Sequence, residues 1–252
     1  MFPGTGTLVN ASTVLVGSTI GVLVGHRLPE RTRNVVTDGL GLVTLLIAAT
    51  SAAAINDPAF SKAVGSSAPM LIVLGAVLIG GITGSLLRLE DRLESLGGVL
   101  QRTATRLFGE STAHESRERF IEGFVTSSLI FCVGPLTILG SLNEGLGKGA
   151  DQLFLKATLD GFAAIAFAAS FGWGVSASVL AILVVQGSLT AVGVGLGNFL
   201  PDAHLAALTT TGGLLLVGVA LRLLDIKQVK VADLLPALVV APLLTAAVMA
   251  FR

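Results

Sequence analysis

The chain has 252 residues, of which 52% are hydrophobic and 13% charged, and its formal net charge is zero. Soluble domains carry about 25% charged residues, so this chain lacks the means to cover itself with a hydrated surface, and its mean hydropathy of +0.85 makes a membrane its natural solvent. Zero net charge gives no attraction for nucleic acid or another polyanion, and the single cysteine, Cys132, excludes an intrachain disulfide and a cysteine-based zinc site.

A spanning helix needs about 20 mostly apolar residues. Eight segments fit, at about 5–25, 35–55, 67–87, 119–141, 152–171, 174–197, 205–224 and 232–251. The fold class is therefore all-α polytopic membrane protein, with one transmembrane domain over 1–252. The first segment follows Met1-Phe2-Pro3 without a basic n-region and reads as a retained span. It carries Asn10 and a stripe of Gly17, Gly21 and Gly25; Gly80 with Gly84 and Gly193 with Gly197 repeat that spacing in spans 3 and 6. Such stripes let backbones approach closely, within one chain or across a homodimer face.

Asp38 marks the inner edge of span 2. Between spans 3 and 4, residues 88–118 place Leu89, Leu93, Leu96, Leu100 and Leu107 near one helical face, with charged residues around it. That pattern suits an amphipathic helix on the inner leaflet or a solvated linker helix.

Span 4 begins with Glu122, which suits a first helical turn, and reads FIEGFVTSSLIFCVGPLTILGSLNEG. Pro135 removes a backbone hydrogen bond and Gly134 loosens the same place, so a break is expected around Cys132, Val133, Gly134 and Pro135. The hydroxyls of Thr126, Ser127 and Ser128 precede it, and Asn143 follows. A discontinuous helix can offer free carbonyls or a half-helix N-terminus to an ion or solute; a packing kink satisfied by its neighbours is the plainer alternative.

Span 5 holds Lys156 and Asp160 on one face, four residues apart. Asp160 falls about 14 Å into the span, close to half of a core about 30 Å thick. Intramembrane ionised groups mark pathways or sites by default; the structural alternative is a pair in which Lys156 snorkels to the interface. Span 6 carries Gln186, an interhelical hydrogen-bonding group like Asn10. Pro236 and Pro242 make span 8 another place for irregular backbone. The three histidines fall at His26, His114 and His204 without metal-ligand spacing, and neither a GxSxG elbow nor a phosphate-binding loop is present. No metal and no cofactor are expected.

With the N-terminus outside, the inner loops hold Arg27, Arg31, Arg33, Arg88, Arg92, Arg102, Arg106, Arg117, Arg119, Arg222, Lys227 and Lys230, against Lys62, Lys148 and Arg252 outside. This bias predicts both termini on the non-cytoplasmic side and favours eight passes. An internal similarity links VGSTIGVLVGHRLP, from Val16, with QGSLTAVGVGLGNFLP, from Gln186, and each is followed by a second Leu- and Gly-rich start, at Thr37 and Thr210. Spans 1–3 (1–87) and 6–8 (174–252) then form an inverted repeat around the 88–118 segment and a central helix pair at 119–171.

The runs EGFVTSSLIFCVGPLTILGSLNEGL, KATLDGFAAIAFAASFGWGVSAS, QGSLT and LLPALVV resemble the bacterial family called domain of unknown function 554, or YqgA-like, over nearly the whole chain. The resemblance implies a multi-pass inner-membrane protein without an assigned activity. It carries over Glu122, Gly123, Ser128, Cys132, Gly134, Pro135, Gly140, Lys156, Asp160, Gly161, Gln186 and Gly187; Leu136 stands where the family pattern suggests methionine.

The expected function is a small secondary transporter or ion-coupled carrier of an unknown solute or ion, embedded in the lipid bilayer. Its pathway would run past Asp160, Lys156, Gln186, Asn10, Ser127, Ser128, Glu122 and Asn143. A non-transporting membrane scaffold or sensor is the alternative, and a membrane-embedded enzyme stands third.

Overall fold

The computed structural model describes residues 2–25, 29–108, 117–132, 135–147, 149–196 and 201–251. Val133, Gly134, Gly197, the 109–116 part of the amphipathic segment, and His26, Arg27, His114, Lys148 and Arg252 lie outside the described residues.

Helices account for nearly all of the described chain, and no strand occurs among those residues. In order they are α1 (Thr5–Gly25), α2 (Glu30–Ala52), α3 (Pro58–Val64), α4 (Ala68–Leu86), α5 (Leu89–Phe108), α6 (Arg117–Cys132), α7 (Pro135–Gly145), α8 (Asp151–Phe171), α9 (Gly174–Leu196), α10 (Asp202–Leu223) and α11 (Ala237–Ala250). Among the described residues seven helical segments, the last running Ala232–Ala250, are long and apolar enough to cross a membrane, or eight if the sharply bent pair α6–α7 is one span. Large apolar side chains point outward: Leu46, Leu71, Phe162 and Val184 are all more than 60% exposed. Buried positions on α1 are mostly small or polar, such as Gly6, Thr7, Asn10, Gly17, Ser18 and Gly21. This inverts the partition of a soluble protein and is what a bilayer requires: the chain is a multi-pass membrane protein.

The helix ends follow local chemistry. Asp57 accepts from the Ala59 N–H at 2.8 Å and Pro58 fills the first position of α3, where its missing N–H costs nothing. Pro135 likewise opens α7. Gly172 takes a positive φ of 74° between α8 and α9, a conformation open to glycine. Arg119 donates to the Ser170 carbonyl at 2.8 Å, placing a cation at the C-terminal end of α8.

The chain divides into two compact units. The first comprises 1–41, 91–132 and 136–198, built around α1, α6, α7, α8 and α9. Here α1 and α8 run side by side in parallel: Gly6 meets Leu153, Gly17 meets Gly161, Gly21 meets Ile165 and Gly25 meets Ala169. A Cβ at Gly17 or Gly21 would collide with the Gly161 or Ile165 carbonyl, so this stripe serves packing within the chain. α9 runs antiparallel to α1, with Ser18 and Ser176 sharing a hydrogen bond of 2.7 Å. α6 starts with the Phe120 carbonyl against Gly174, whereas α7 ends with Gly145 against Thr190. The bent pair thus meets α9 at two points about 24 Å apart at 1.5 Å per residue.

The second unit comprises 42–90, 133–135 and 199–252. α4 and α11 pack antiparallel, with Gly80 on Ala237 and Gly84 on Asp233, and Gly213 of α10 lies against Ala48 and Ala52 of α2. One end of this unit is closed by a reciprocal clamp. The Glu90 N–H donates to Asp233 Oδ1 (2.9 Å), while Glu90 Oε2 accepts from the Ala232 N–H (2.8 Å) and Oε1 from Arg222 Nη1 (2.6 Å). Each acid caps the short helical start that carries the other. The sequence analysis passed over this network.

A prediction follows from the α1–α8 contact. Gly21→Ala should lower stability by about 1–3 kcal/mol, the usual cost of overpacking. Gly39→Ala, where a Cβ meets nothing within 4 Å, should be neutral or slightly stabilising. Thermal unfolding of the purified protein in detergent reads both.

Candidate functional site

Asp160 is held between α1 and α8 by two donors that converge on one oxygen. Its Oδ2 accepts from Lys156 Nζ at 2.5 Å and from Asn10 Nδ2 at 3.0 Å, while Oδ1 takes no hydrogen bond from the described residues. Asn10 is fully buried, and Lys156 and Asp160 are 6% and 7% exposed. Lys156 therefore folds onto Asp160 and does not reach outward to an interface. In a low-dielectric interior a carboxylate in direct contact holds an ammonium more strongly than in water. Thr13 Oγ1 donates to the Ala157 carbonyl at 2.9 Å and fixes the register of the two helices beside the pair.

Two more helices, α6 and α9, bring further polar groups to the depth of Asn10. Counting about 1.5 Å per residue from the level of Gly174, Ser128 lies about 12 Å along α6, Asn10 about 15 Å and Gln186 about 18 Å. Thr126 and Ser127 lie just below Ser128. These side chains share a slab about 9 Å deep near the middle of a core about 30 Å thick. All are buried, and Asn10 Oδ1, the hydroxyls of Thr126, Ser127 and Ser128 and both polar atoms of Gln186 have no hydrogen-bond partner among the described residues. Each buried unpaired group costs about 1–3 kcal/mol, so the layer carries hydrogen-bonding capacity that the described residues leave unused. The layer offers hydroxyl, carboxamide and carboxylate chemistry; among the described residues no three His, Cys, Asp or Glu side chains converge.

The bend between α6 and α7 is partly satisfied by local groups. Pro135 cannot donate to the carbonyl four residues back, that of Phe131, and the Thr137 hydroxyl does so instead at 3.0 Å. This carbonyl is thereby occupied. Cys132 ends α6 half-buried with a free thiol. Two sequence candidates lie apart from the layer. Glu122 is half-buried near the start of α6, and Asn143 on α7 donates to Gln152 Oε1 at 3.1 Å near the start of α8.

Sequence reasoning missed Glu144, Asn143's neighbour. It is buried, and its Oε1 accepts from the Gly6 N–H at 2.6 Å in the first turn of α1. An acid at the end of an apolar run carries little signal by itself; its partner lies 138 residues away.

The comparisons match this picture of a membrane family without an assigned activity. The family described as "Protein of unknown function (DUF554)" matches residues 5–246. The "Uncharacterized protein YqgA" of Escherichia coli (strain K12) is 32% identical over 242 residues, covering 96% of each chain. The "Uncharacterized membrane protein YdfK" of Bacillus subtilis (strain 168) is 26% identical over 246 residues, covering 98% of this chain and 97% of that one. No solved structure matches the chain.

The ion pair makes its own prediction. Lys156→Met leaves a buried carboxylate without its cation and should cost about 3–5 kcal/mol, whereas the double change with Asp160→Asn should recover most of that loss. Unfolding midpoints of the two variants in detergent measure the difference.

Proposed function

The chain belongs to the DUF554 family of proteins of unknown function, and we propose that it is a small ion-coupled secondary transporter of the bacterial inner membrane. The observation that carries this reading is the mid-depth layer around Asp160. A carboxylate with one oxygen anchored by Lys156 and Asn10 and the other unbonded sits at the level of unpaired hydroxyls and a buried glutamine. A transported ion or solute would meet Asp160 Oδ1, Gln186 and the Ser127–Ser128 hydroxyls. Intramembrane acids of this kind serve as coupling groups because their charge is tolerable only when compensated.

Helix pairing supports the inverted-repeat architecture behind this proposal. Under the repeat, spans 1 and 6, 2 and 7, and 3 and 8 are equivalent. Equivalent spans are neighbours: α1 with α9 in the first unit, α2 with α10 and α4 with α11 in the second. The parallel packing of α1 and α8 also supports α6–α7 as one broken crossing, since three crossings must then separate the two helices. With basic residues concentrated in the inner loops, the termini face away from the cytoplasm.

One observation favours a second reading. Lys156 and Asp160 are in direct contact, as they would be in a static scaffold or sensor that only needs the pair for packing. Proteoliposome uptake and solid-supported-membrane currents across an ion and metabolite screen separate the two. Transport predicts a substrate-dependent current in the wild type that Asp160→Asn reduces at least tenfold while the variant stays folded. Indistinguishable traces from wild type, variant and empty liposomes across the screen would leave only the scaffold.

A further inference from the structure

A second buried carboxylate lies away from the Asp160 layer, where α7 meets the ends of α1 and α9. Glu144 uses Oε1 to accept from the Gly6 N–H, while its buried Oε2 has no partner among the described residues. Among the described residues it makes no ion pair. Next to Gly6 on α1, Thr7 is 3% exposed and its hydroxyl is likewise unpaired. Thr190 on α9 is 4% exposed with an unpaired hydroxyl, and its carbonyl abuts Gly145, the neighbour of Glu144. Thr7 and Thr190 both line a cavity of about 540 Å³, together with Gly4, Leu8, Leu183, Gly187 and others.

From these contacts we infer that Glu144, Thr7 and Thr190 form an alkali-cation site at the Thr5 end of the first unit. The donors are all hard oxygens. Sites for softer metals recruit imidazole or thiolate, and calcium takes six to eight oxygens, usually from several carboxylates. One carboxylate with two hydroxyls carries a single negative charge, which a monovalent cation balances. The Gly6 N–H and the positive end of α1 hold one carboxylate oxygen in place, leaving the other to face the ion. The cavity reaches the two threonines and leaves room for water to complete the coordination shell. This site stands independently of transport at Asp160: Gly6 lies about 6 Å along α1 from Asn10, and a cation held here would stabilise the protein whether or not it moves a solute.

The test uses the full chain in detergent, unfolded thermally at constant ionic strength while sodium, potassium or lithium chloride replaces choline chloride. A saturating ligand that binds only the folded state should raise the midpoint by about 4 °C. Glu144→Gln keeps an amide oxygen for the Gly6 N–H but loses the charge, and should abolish the rise. Thr190→Val should weaken the apparent affinity about tenfold and serves as the second variant if Glu144→Gln does not fold. Asp160→Asn should keep the rise, even where it ends transport. The proposal is overturned if no alkali cation exceeds choline in the wild type, if the rise survives in Glu144→Gln, or if Asp160→Asn removes it as well.

Discussion

In a bilayer there is no water to solvate a buried ionised carboxylate, so Asp160 has to be met by the protein, and this requirement organises the first unit. Lys156 supplies the opposite charge from one turn away on the same helix. Asn10 supplies the second donor from α1, and it reaches only because the two helices touch backbone to backbone. Gly17, Gly21 and Gly25 make that approach, each with α8 atoms where a Cβ would stand. The glycine stripe and the intramembrane charge, separate features of the sequence, are thus two parts of one arrangement. A bulkier residue on the stripe would push Asn10 away from the carboxylate as well as disturb packing.

The two units treat their polar groups differently. In the second, Glu90 has both oxygens and its own N–H bonded, and Asp233 returns the favour at the facing helix start. Among the described residues, ten of the twelve buried side-chain atoms without partners belong to the first unit, which locates the unspent hydrogen-bonding capacity there. Satisfied networks make rigid frames; unsatisfied ones leave hydrogen-bonding capacity to spare. This contrast supports a division in which the second unit holds its shape and the first carries the chemistry.

Much of the architecture was legible in the sequence because hydropathy sets span length directly. The predicted spans at 5–25, 67–87 and 152–171 correspond to α1, α4 and α8 within a residue or two. Asp160 and Lys156 were visible as charges in an apolar run. What could not be read was pairing across the chain. Asn10 and Asp160 are 150 residues apart, Glu90 and Arg222 are 132 apart, and Glu144 and Gly6 are 138 apart. No local periodicity encodes such contacts. Asn143 drew notice and Glu144 did not because only the packed structure tells which of two adjacent polar residues faces inward. Lys156 was open to snorkelling by its length alone; the nearby carboxylate decides otherwise.

The break between α6 and α7 links these observations. A continuous fourth helix would carry residues 135–145 straight on beside α9, but in the structure Gly140 also meets Leu153 of α8 and Glu144 meets the start of α1. α7 thus lies across the ends of three helices, and the Thr137 hydroxyl takes the carbonyl that Pro135 leaves open. The sequence left two readings of this place, exposed backbone ligands or a packing kink satisfied by its neighbours. Beyond the bend, α7 holds a second carboxylate inward, about 6 Å along α1 from Asn10. Two buried acids thus lie at successive depths beside one helix, one compensated by lysine and the other by a helix N-terminus.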